Sequence, residues 1–202
     1  MRMHTERDAS NDTLTWVVQD DCVTGFCTFR AEQPDEAPDA LKVLGSHPGV
    51  RRIEVSPGKV TVMKDDAMDW RDLAPSLNQQ VGSMAKEGAL RFSDSISQEQ
   101  SLRNAVEQII DADLGNLAAS HGGCISVVDI EGEEVQVSME GACHNCPATR
   151  NTLDRNISGP LAKYFPKVKV RVVAGDESHQ SSGPTFVRLL GLGADKKSSY
   201  PG

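Results

Sequence analysis

The chain predicts an α+β fold of two small domains, and three features of the sequence carry that expectation. Short segments in which apolar and polar residues alternate, such as Glu134-Val135-Gln136-Val137-Ser138-Met139, have the period of half-buried strands. Longer segments carry apolar residues three and four apart, as in Trp70, Leu73, Leu77 and Val81, the spacing of one helix face. Between residues 85 and 97 both patterns give way to Gly88, serines and charges, the composition of a linker. A length of 202 residues allows two small domains. The break places them at 12–88 and 97–174, ahead of a Ser- and Gly-rich stretch over 175–202 that is expected to be disordered.

In the first domain, residues 1 to about 11 are polar and expected to be loose. Segments 14–18 and 25–29 read as strands, with Asp20-Asp21 between them suggesting a hairpin. Segment 35–46 carries a helical stripe of Ala40, Leu41 and Leu44 until His47-Pro48-Gly49 stops it. Two more strands, 50–55 and 59–63, meet at the turn Ser56-Pro57-Gly58, and 69–84 is a second amphipathic helix. That order layers helices on a sheet.

In the second domain, Ser97 and Gln100 have the spacing of a capping box. The helix they open carries Leu102, Val106, Ile109, Ile110, Leu114 and Leu117 on one face. Gly115 weakens it by about 1 kcal/mol relative to alanine, and Gly122-Gly123 stops it. Strands at 125–130 and 135–139 return on each other about Glu131-Gly132-Glu133. A helix with Leu153, Ile157 and Leu161 follows, which Gly159-Pro160 should kink or interrupt near Asn156. Val168, Val170 and Val172 alternate with Lys169 and Arg171 in a closing strand, and 186–190 has the pattern of a short helix.

Charge narrows the function. Residues 1–92 hold 11 basic and 15 acidic side chains and 93–174 hold 7 and 11, so each half is −4 within a total of −8. Neither presents the basic footprint that nucleic acid or an anionic membrane surface attracts, and no partner of either kind is expected. No apolar run approaches the ~18 residues of a membrane helix. The first ten residues lack the apolar core of a signal peptide.

Five cysteines, Cys22, Cys27, Cys124, Cys143 and Cys146, without an export signal argue against a disulfide framework and for reduced thiols in a cytosol-like compartment. Cys22, Cys27 and Cys124 fall in or beside strand-like segments and read as packing residues or plain thiols. Cys143 and Cys146 differ. They sit in Gly141-Ala142-Cys143-His144-Asn145-Cys146-Pro147, between a strand pattern and a helix pattern. Pro147 suits a first helical position, where its missing N–H is not needed. Thiols in such a turn meet backbone N–H groups and the positive end of the helix dipole, which favour thiolates. His144 between them reads as a solvated turn residue.

Three chemistries fit: an iron–sulfur cluster, which takes four thiolates; a zinc site, which takes four Cys or His ligands; or a redox pair, which needs only two thiols. Either metal reading requires two further ligands, from Cys22, Cys27 or Cys124 of the same chain or from a second copy of Cys143 and Cys146 in a two-fold dimer.

Residues 102–174 resemble the C-terminal domain of NifU that is shared by the Nfu iron–sulfur cluster carriers. The residues that carry the resemblance are His121-Gly122-Gly123, the two alternating strands, Gly141 to Pro147, Thr152-Leu153, Ile157 and Phe165-Pro166-Lys167-Val168. The first half resembles the N-terminal domain of the same proteins at 41–50, at 59–64 and at Asp69-Trp70. The resemblance implies a helix–strand–strand–helix–strand order with the C-x-x-C in the loop before the second helix. It implies a labile cluster, usually [4Fe–4S] with [2Fe–2S] as the alternative, held on Cys143 and Cys146 of two subunits and passed to apo-proteins. It also implies no catalysis, upstream assembly proteins as donors, and a cytoplasmic or organellar-matrix setting. Three features depart from the pattern. Cys124 stands where an acidic or polar residue is usual, Gly159-Pro160 falls inside the family's helix, and the stretch after 174 has no counterpart.

The leading reading is therefore a scaffold or carrier that exchanges its thiolates for those of a client. The runner-up is a thiol–disulfide oxidoreductase using Cys143 and Cys146, since a C-x-x-C at a helix N-terminus is also the thioredoxin-like arrangement. A zinc-stapled interaction module is the third. Under the leading reading, Cys143→Ser or Cys146→Ser abolishes iron retention after anaerobic reconstitution. Cys22→Ser, Cys27→Ser and Cys124→Ser keep most of it. Iron per chain is the measurement, and equal loss in Cys22→Ser and Cys143→Ser would refute the assignment.

Overall fold

The computed structural model describes residues 2–8, 11–19, 21–114, 122–141 and 154–173. The first sheet has five antiparallel strands in the order β1-β2-β5-β4-β3. These are β1 (Met3–Arg7), β2 (Thr13–Val18), β3 (Cys27–Arg30), β4 (Val50–Ser56) and β5 (Lys59–Lys64). Helices α1 (Asp39–Gly45) and α2 (Trp70–Glu87) lie on the sheet. The alternation along the strands puts Leu14, Trp16, Ile53, Val55, Val60 and Val62 into one core with Leu41, Leu44, Leu73, Leu77 and Val81 of the helices. Asp69 caps α2 by accepting from the Arg71 N–H at 2.9 Å, and Gly88, at φ +76°, closes it in the left-handed conformation.

Four expectations change. Residues 3–7 are a strand, paired along β2 with only Met3 against the core. Strands β2 and β3 are not a hairpin, because β5 and β4 lie between them. The tip of the β4–β5 hairpin occupies the space where their turn would close: Gly58 accepts from the Val18 N–H at 2.8 Å and donates to the Val23 carbonyl at 3.0 Å. The expected helix at 35–46 is a 3₁₀ turn, Pro34–Glu36, followed by α1, because Pro38 has no N–H to continue the ladder. The linker-like stretch after Glu87 is packed: Leu90 and Phe92 are 0% and 2% exposed in the first core. It is stapled to Thr24, whose N–H donates to Leu90 and whose carbonyl accepts from Phe92.

The remaining elements are α3 (Gln98–Ile109), a π-helical turn at Ile110–Leu114, β6 (Gly123–Glu131), β7 (Glu134–Gly141), a second π-helical turn at Asp154–Ser158, α4 (Gly159–Ala162) and β8 (Lys169–Val173). This is the expected helix–strand–strand–helix–strand order. Ser97 caps α3 by accepting from the Gln100 N–H at 3.1 Å. Strands β6 and β7 are antiparallel, β8 runs parallel to β7, and β7 is central. Leu102, Ala105, Val106 and Ile110 meet Ile125, Ile130, Val135, Val137 and Met139 of the strands, with Ile157 and Leu161 completing the second core. The expected interruption at Gly159-Pro160 is the change from the wide π turn to α4. Pro160 lacks an N–H and its ring crowds the carbonyl four residues back, so one regular ladder cannot run through it. Leu117, Leu153 and the 175–202 stretch lie outside the described residues.

Helix α3 also faces the first sheet, through a polar stripe. Ser101, Asn104 and Gln108 are buried, spaced three and four apart. Ser101 Oγ accepts from the Phe26 N–H (3.1 Å), and Asn104 Nδ2 donates to the Phe26 carbonyl (3.1 Å). Gln108 Nε2 lies within 3.0–3.2 Å of the Cys27 and Val55 carbonyls and Thr28 Oγ1. Beside them Arg30 pairs with Glu107 at 3.0 Å, and Arg52 pairs with Glu54 at 2.8 Å and with Asp111. Burial pushes the Glu54 carboxyl above its usual range, against the pull of Arg52. Gln108→Leu strips the donor from two buried carbonyls, and we expect it to cost about 1–3 kcal/mol, read as a lower urea midpoint. An unchanged midpoint would mean that the stripe does not stabilise the packing.

Candidate metal centre

Cys143 and Cys146, with His144, lie in residues 142–153, outside the described residues. The structure fixes what stands on either side of that segment. Upstream is Gly141, the last residue of β7, and downstream is Asp154, the first residue of the second π turn.

Gly141 pairs with Gly123 across the β6–β7 ladder and has φ +62°. A Cβ on Gly141 would stand 2.2 Å from the Gly122 carbonyl oxygen, closer than any real contact, and Gly122 itself has φ +70°. Two left-handed glycines thus let the backbone before the C-x-x-C run directly against the backbone of the Gly122-Gly123 turn. The tripeptide His121-Gly122-Gly123 and the thiol motif, distant in sequence, meet here through their glycines, with His121 itself outside the described residues. Strand β8 ends at the same side of the sheet, since Val173 pairs with Ser138.

The other thiols sort by position. Cys27, 3% exposed, belongs to the first core together with the half-buried Cys22. Burial raises the Cys27 thiol to about 11, only partly offset by its backbone hydrogen bond at Thr28. It is therefore a neutral thiol at physiological pH and a poor metal ligand. Cys124 is half-buried on β6, opposite Glu140 and so beside the Gly123–Gly141 pair. It lies on the sheet face away from Ile125, which points to the core. Of the described cysteines, Cys124 alone sits at the strand ends that lead into the thiol segment.

The basic residues of the closing strand are solvated: Lys169 and Arg171 are exposed, and Arg171 pairs with Glu134 at 3.1 Å. Among the described residues no three His, Cys, Asp or Glu side chains converge as a metal site, and no helix is long and apolar enough to cross a membrane. The sequence reading missed Phe26, which it placed in a strand of the first sheet and which belongs to the second core. The polar stripe at 101, 104 and 108, opposite an apolar face, was the available signal that α3 is covered on both sides.

Residues 106–173 match the NifU-like domain family. Over 174 residues the chain is 28% identical to NifU-like protein 5, mitochondrial, of Arabidopsis thaliana, covering 79% of this chain and 63% of that one. It is 23% identical over 141 residues to the human NFU1 iron-sulfur cluster scaffold homolog, mitochondrial, covering 65% and 56%. It is 24% identical over 147 residues to Fe/S biogenesis protein NfuA of Shewanella loihica, covering 72% and 70%. The chain spans roughly half to two thirds of the length of the mitochondrial relatives it matches. A 174-residue alignment is too long to fit after position 93, so the likeness reaches into the first sheet.

Replacing Gly141 by alanine forces a Cβ into a backbone carbonyl and holds a non-glycine residue at positive φ, a strain of about 1–3 kcal/mol. We expect Gly141→Ala to lower the thermal midpoint and to speed amide exchange at the Gly123–Gly141 end of the hairpin more than at the Glu131–Glu134 end. Uniform exchange along β6 and β7 would contradict this account of the glycine pair.

Proposed function

We propose that this chain, whose residues 106–173 match the NifU-like domain family, carries iron–sulfur clusters: it receives a labile cluster on Cys143 and Cys146 and passes it to apo-proteins. The observation that carries the reading is that the C-x-x-C follows in sequence directly after Gly141, whose backbone abuts Gly122, within the stretch that matches the NifU-like domain family. Relatives named as an iron-sulfur cluster scaffold homolog and as Fe/S biogenesis proteins support it.

The cluster is cargo, and the chemistry asked of the protein is ligand exchange rather than catalysis. Each chain offers two thiolates at the motif, and a cluster with four cysteine ligands takes four. Two copies of the chain therefore hold one cluster, of the [4Fe–4S] type, with [2Fe–2S] as the smaller alternative. Client thiolates then replace the carrier's one by one as the cluster leaves. We assign 97–174 as the cluster-binding domain and 12–88 as a domain for client or partner recognition. Upstream assembly proteins supply the cluster. The setting is a cytoplasm or an organellar matrix, the latter supported by relatives named as mitochondrial. The oxidoreductase alternative is disfavoured by the antiparallel β6–β7 hairpin that precedes the motif, where a thioredoxin-like site follows a βαβ unit.

Anaerobic reconstitution followed by Mössbauer spectroscopy tests the reading directly: a cluster signal lost in Cys143→Ser supports it, and a metal-free protein with a titratable disulfide refutes it. Assembly is the second test. Cargo that binds two chains together pulls the equilibrium toward dimer by mass action. We expect a monomeric apo-protein, a dimeric holo-protein with about one cluster per two chains, and reversal on chelation, all followed by sedimentation. A monomeric holo-protein with a full cluster would mean that ligands of the same chain complete the site.

A further inference from the structure

Strand β3 stands last in the first sheet, so one of its edges meets no other strand. The Ala31 N–H donates to the Arg51 carbonyl on the side of β4, and hydrogen-bonded and non-hydrogen-bonded pairs alternate along an antiparallel ladder. The backbone groups of Thr28 and Arg30 therefore point away from β4, to the open edge. Those of Phe26 point the same way and are taken by Ser101 and Asn104 of α3. Of the four groups on Thr28 and Arg30, the Thr28 N–H serves the Cys27 thiol and the Arg30 carbonyl accepts from the Gln33 N–H. The Thr28 carbonyl and the Arg30 N–H have no such partner among the described residues. They lie at a groove of about 990 Å³, walled by Gln33 to Pro38 on one side and by Gln100, Arg103 and Glu107 of α3 on the other. Arg30 pairs with Glu107 there, and Glu36 is exposed. Arg103 is half-buried and makes no ion pair among the described residues.

We propose that this groove takes an extended peptide of a partner protein, added to the sheet as a strand parallel to β3 with an acidic side chain against Arg103. An acceptor on one residue and a donor two residues on are the pair that a single residue of a parallel neighbour engages, its N–H to the first and its carbonyl to the second. The side chains before and after that residue turn to the sheet face on which α3 lies, because Thr28 and Arg30 point that way, to Gln108 and Glu107. A carboxylate there gives Arg103 the partner it lacks within the chain. Peptides bound by strand addition draw affinity from main-chain bonds and specificity from alternate side chains, and the groove offers both. Only the partner's being a client of the carrier rests on the reading above.

Binding is read on the full-length, cluster-free chain with two probes: an acetylated and amidated heptapeptide of alternating threonine and glutamate, and its counterpart with lysine for glutamate. The chain carries −8, so unspecific attraction favours the lysine peptide. We expect the glutamate peptide to bind about tenfold more tightly instead, and to slow exchange of the Arg30 amide more than that of any amide of β1, the opposite edge of the sheet. Arg103→Glu reverses the preference and Arg103→Gln removes it. Lys59→Glu, the same charge change at an exposed strand residue outside the groove, leaves it intact. No binding of either peptide, equal affinity for both, or a preference that Arg103→Glu does not alter overturns the proposal. So does an Arg30 amide already protected without peptide: protection independent of concentration means that the chain's own residues fill the groove, and protection that rises with concentration means that a second copy does. Because no cluster enters the experiment, a negative result leaves the carrier reading standing.

Discussion

A helix packed on two sides must bury part of its polar surface, and α3 does so with side chains that suit both neighbours. Toward the second sheet it offers Leu102, Ala105 and Val106. Toward the first it offers Ser101, Asn104 and Gln108, which take up the Phe26 N–H and carbonyl just before β3 and the Cys27 carbonyl at its start. An edge strand left bare invites pairing with other chains. A helix with amide side chains at the correct spacing covers the start of that edge and at the same time holds the two sheets in register. The partly exposed pairs of Arg30 with Glu107 and of Arg52 with Asp111 extend the same contact by one further turn. The placement of the second core, and through it of the strand ends that lead to the thiols, depends on this one helix.

The pattern of elements was legible because it is local. Periodicity located β2, β4, β5, β6, β7 and β8, and the stop signals at Gly49 and Gly122 and the turn at Gly132 coincide with left-handed glycines. Pairing was less legible. Residues His4 to Arg7 show no apolar alternation, because β1 lies along the outer edge of β2 and buries almost nothing, so no hydrophobic signal marks it. The supposed β2–β3 hairpin failed for a different reason. Turn chemistry at Asp20-Asp21 says nothing about whether a later hairpin will insert between the two strands, and the β4–β5 pair, apolar at alternate positions in both strands, does so. Serines and charges give 85–97 the composition of a linker, yet Leu90 and Phe92, two large apolar residues, anchor that stretch in the first core.

The thiol motif was legible because it too is local. C-x-x-C chemistry is written in consecutive residues, as is the glycine that precedes it. What consecutive residues could not show is that Gly122 and Gly141 touch, or that Phe26 leaves the first sheet to join the second core. Both depend on contacts between segments remote in sequence. The sorting of the five cysteines illustrates the limit. Strand-like context correctly marked Cys22 and Cys27 as core residues, and burial adds the reason that Cys27 keeps its proton. Cys124, by contrast, takes its interest from its place opposite Glu140, which only the register reveals.

The parallel pairing of β7 with β8 bears on the order of events as the molecule is made. Two parallel neighbours cannot be joined by a tight turn and need a crossover of a dozen residues or more, and here that crossover, 142–168, contains both thiols of the motif. The β6–β7 hairpin forms from neighbouring residues, but the sheet is complete only when Lys169 to Val173 return alongside β7. Long-range closure of this kind is the slow part of folding. Until it occurs, the downstream end of the cysteine segment has no fixed place. A newly synthesised chain thus has the β6–β7 hairpin available before its last strand has docked, and both ends of the crossover that carries the C-x-x-C are anchored only afterwards.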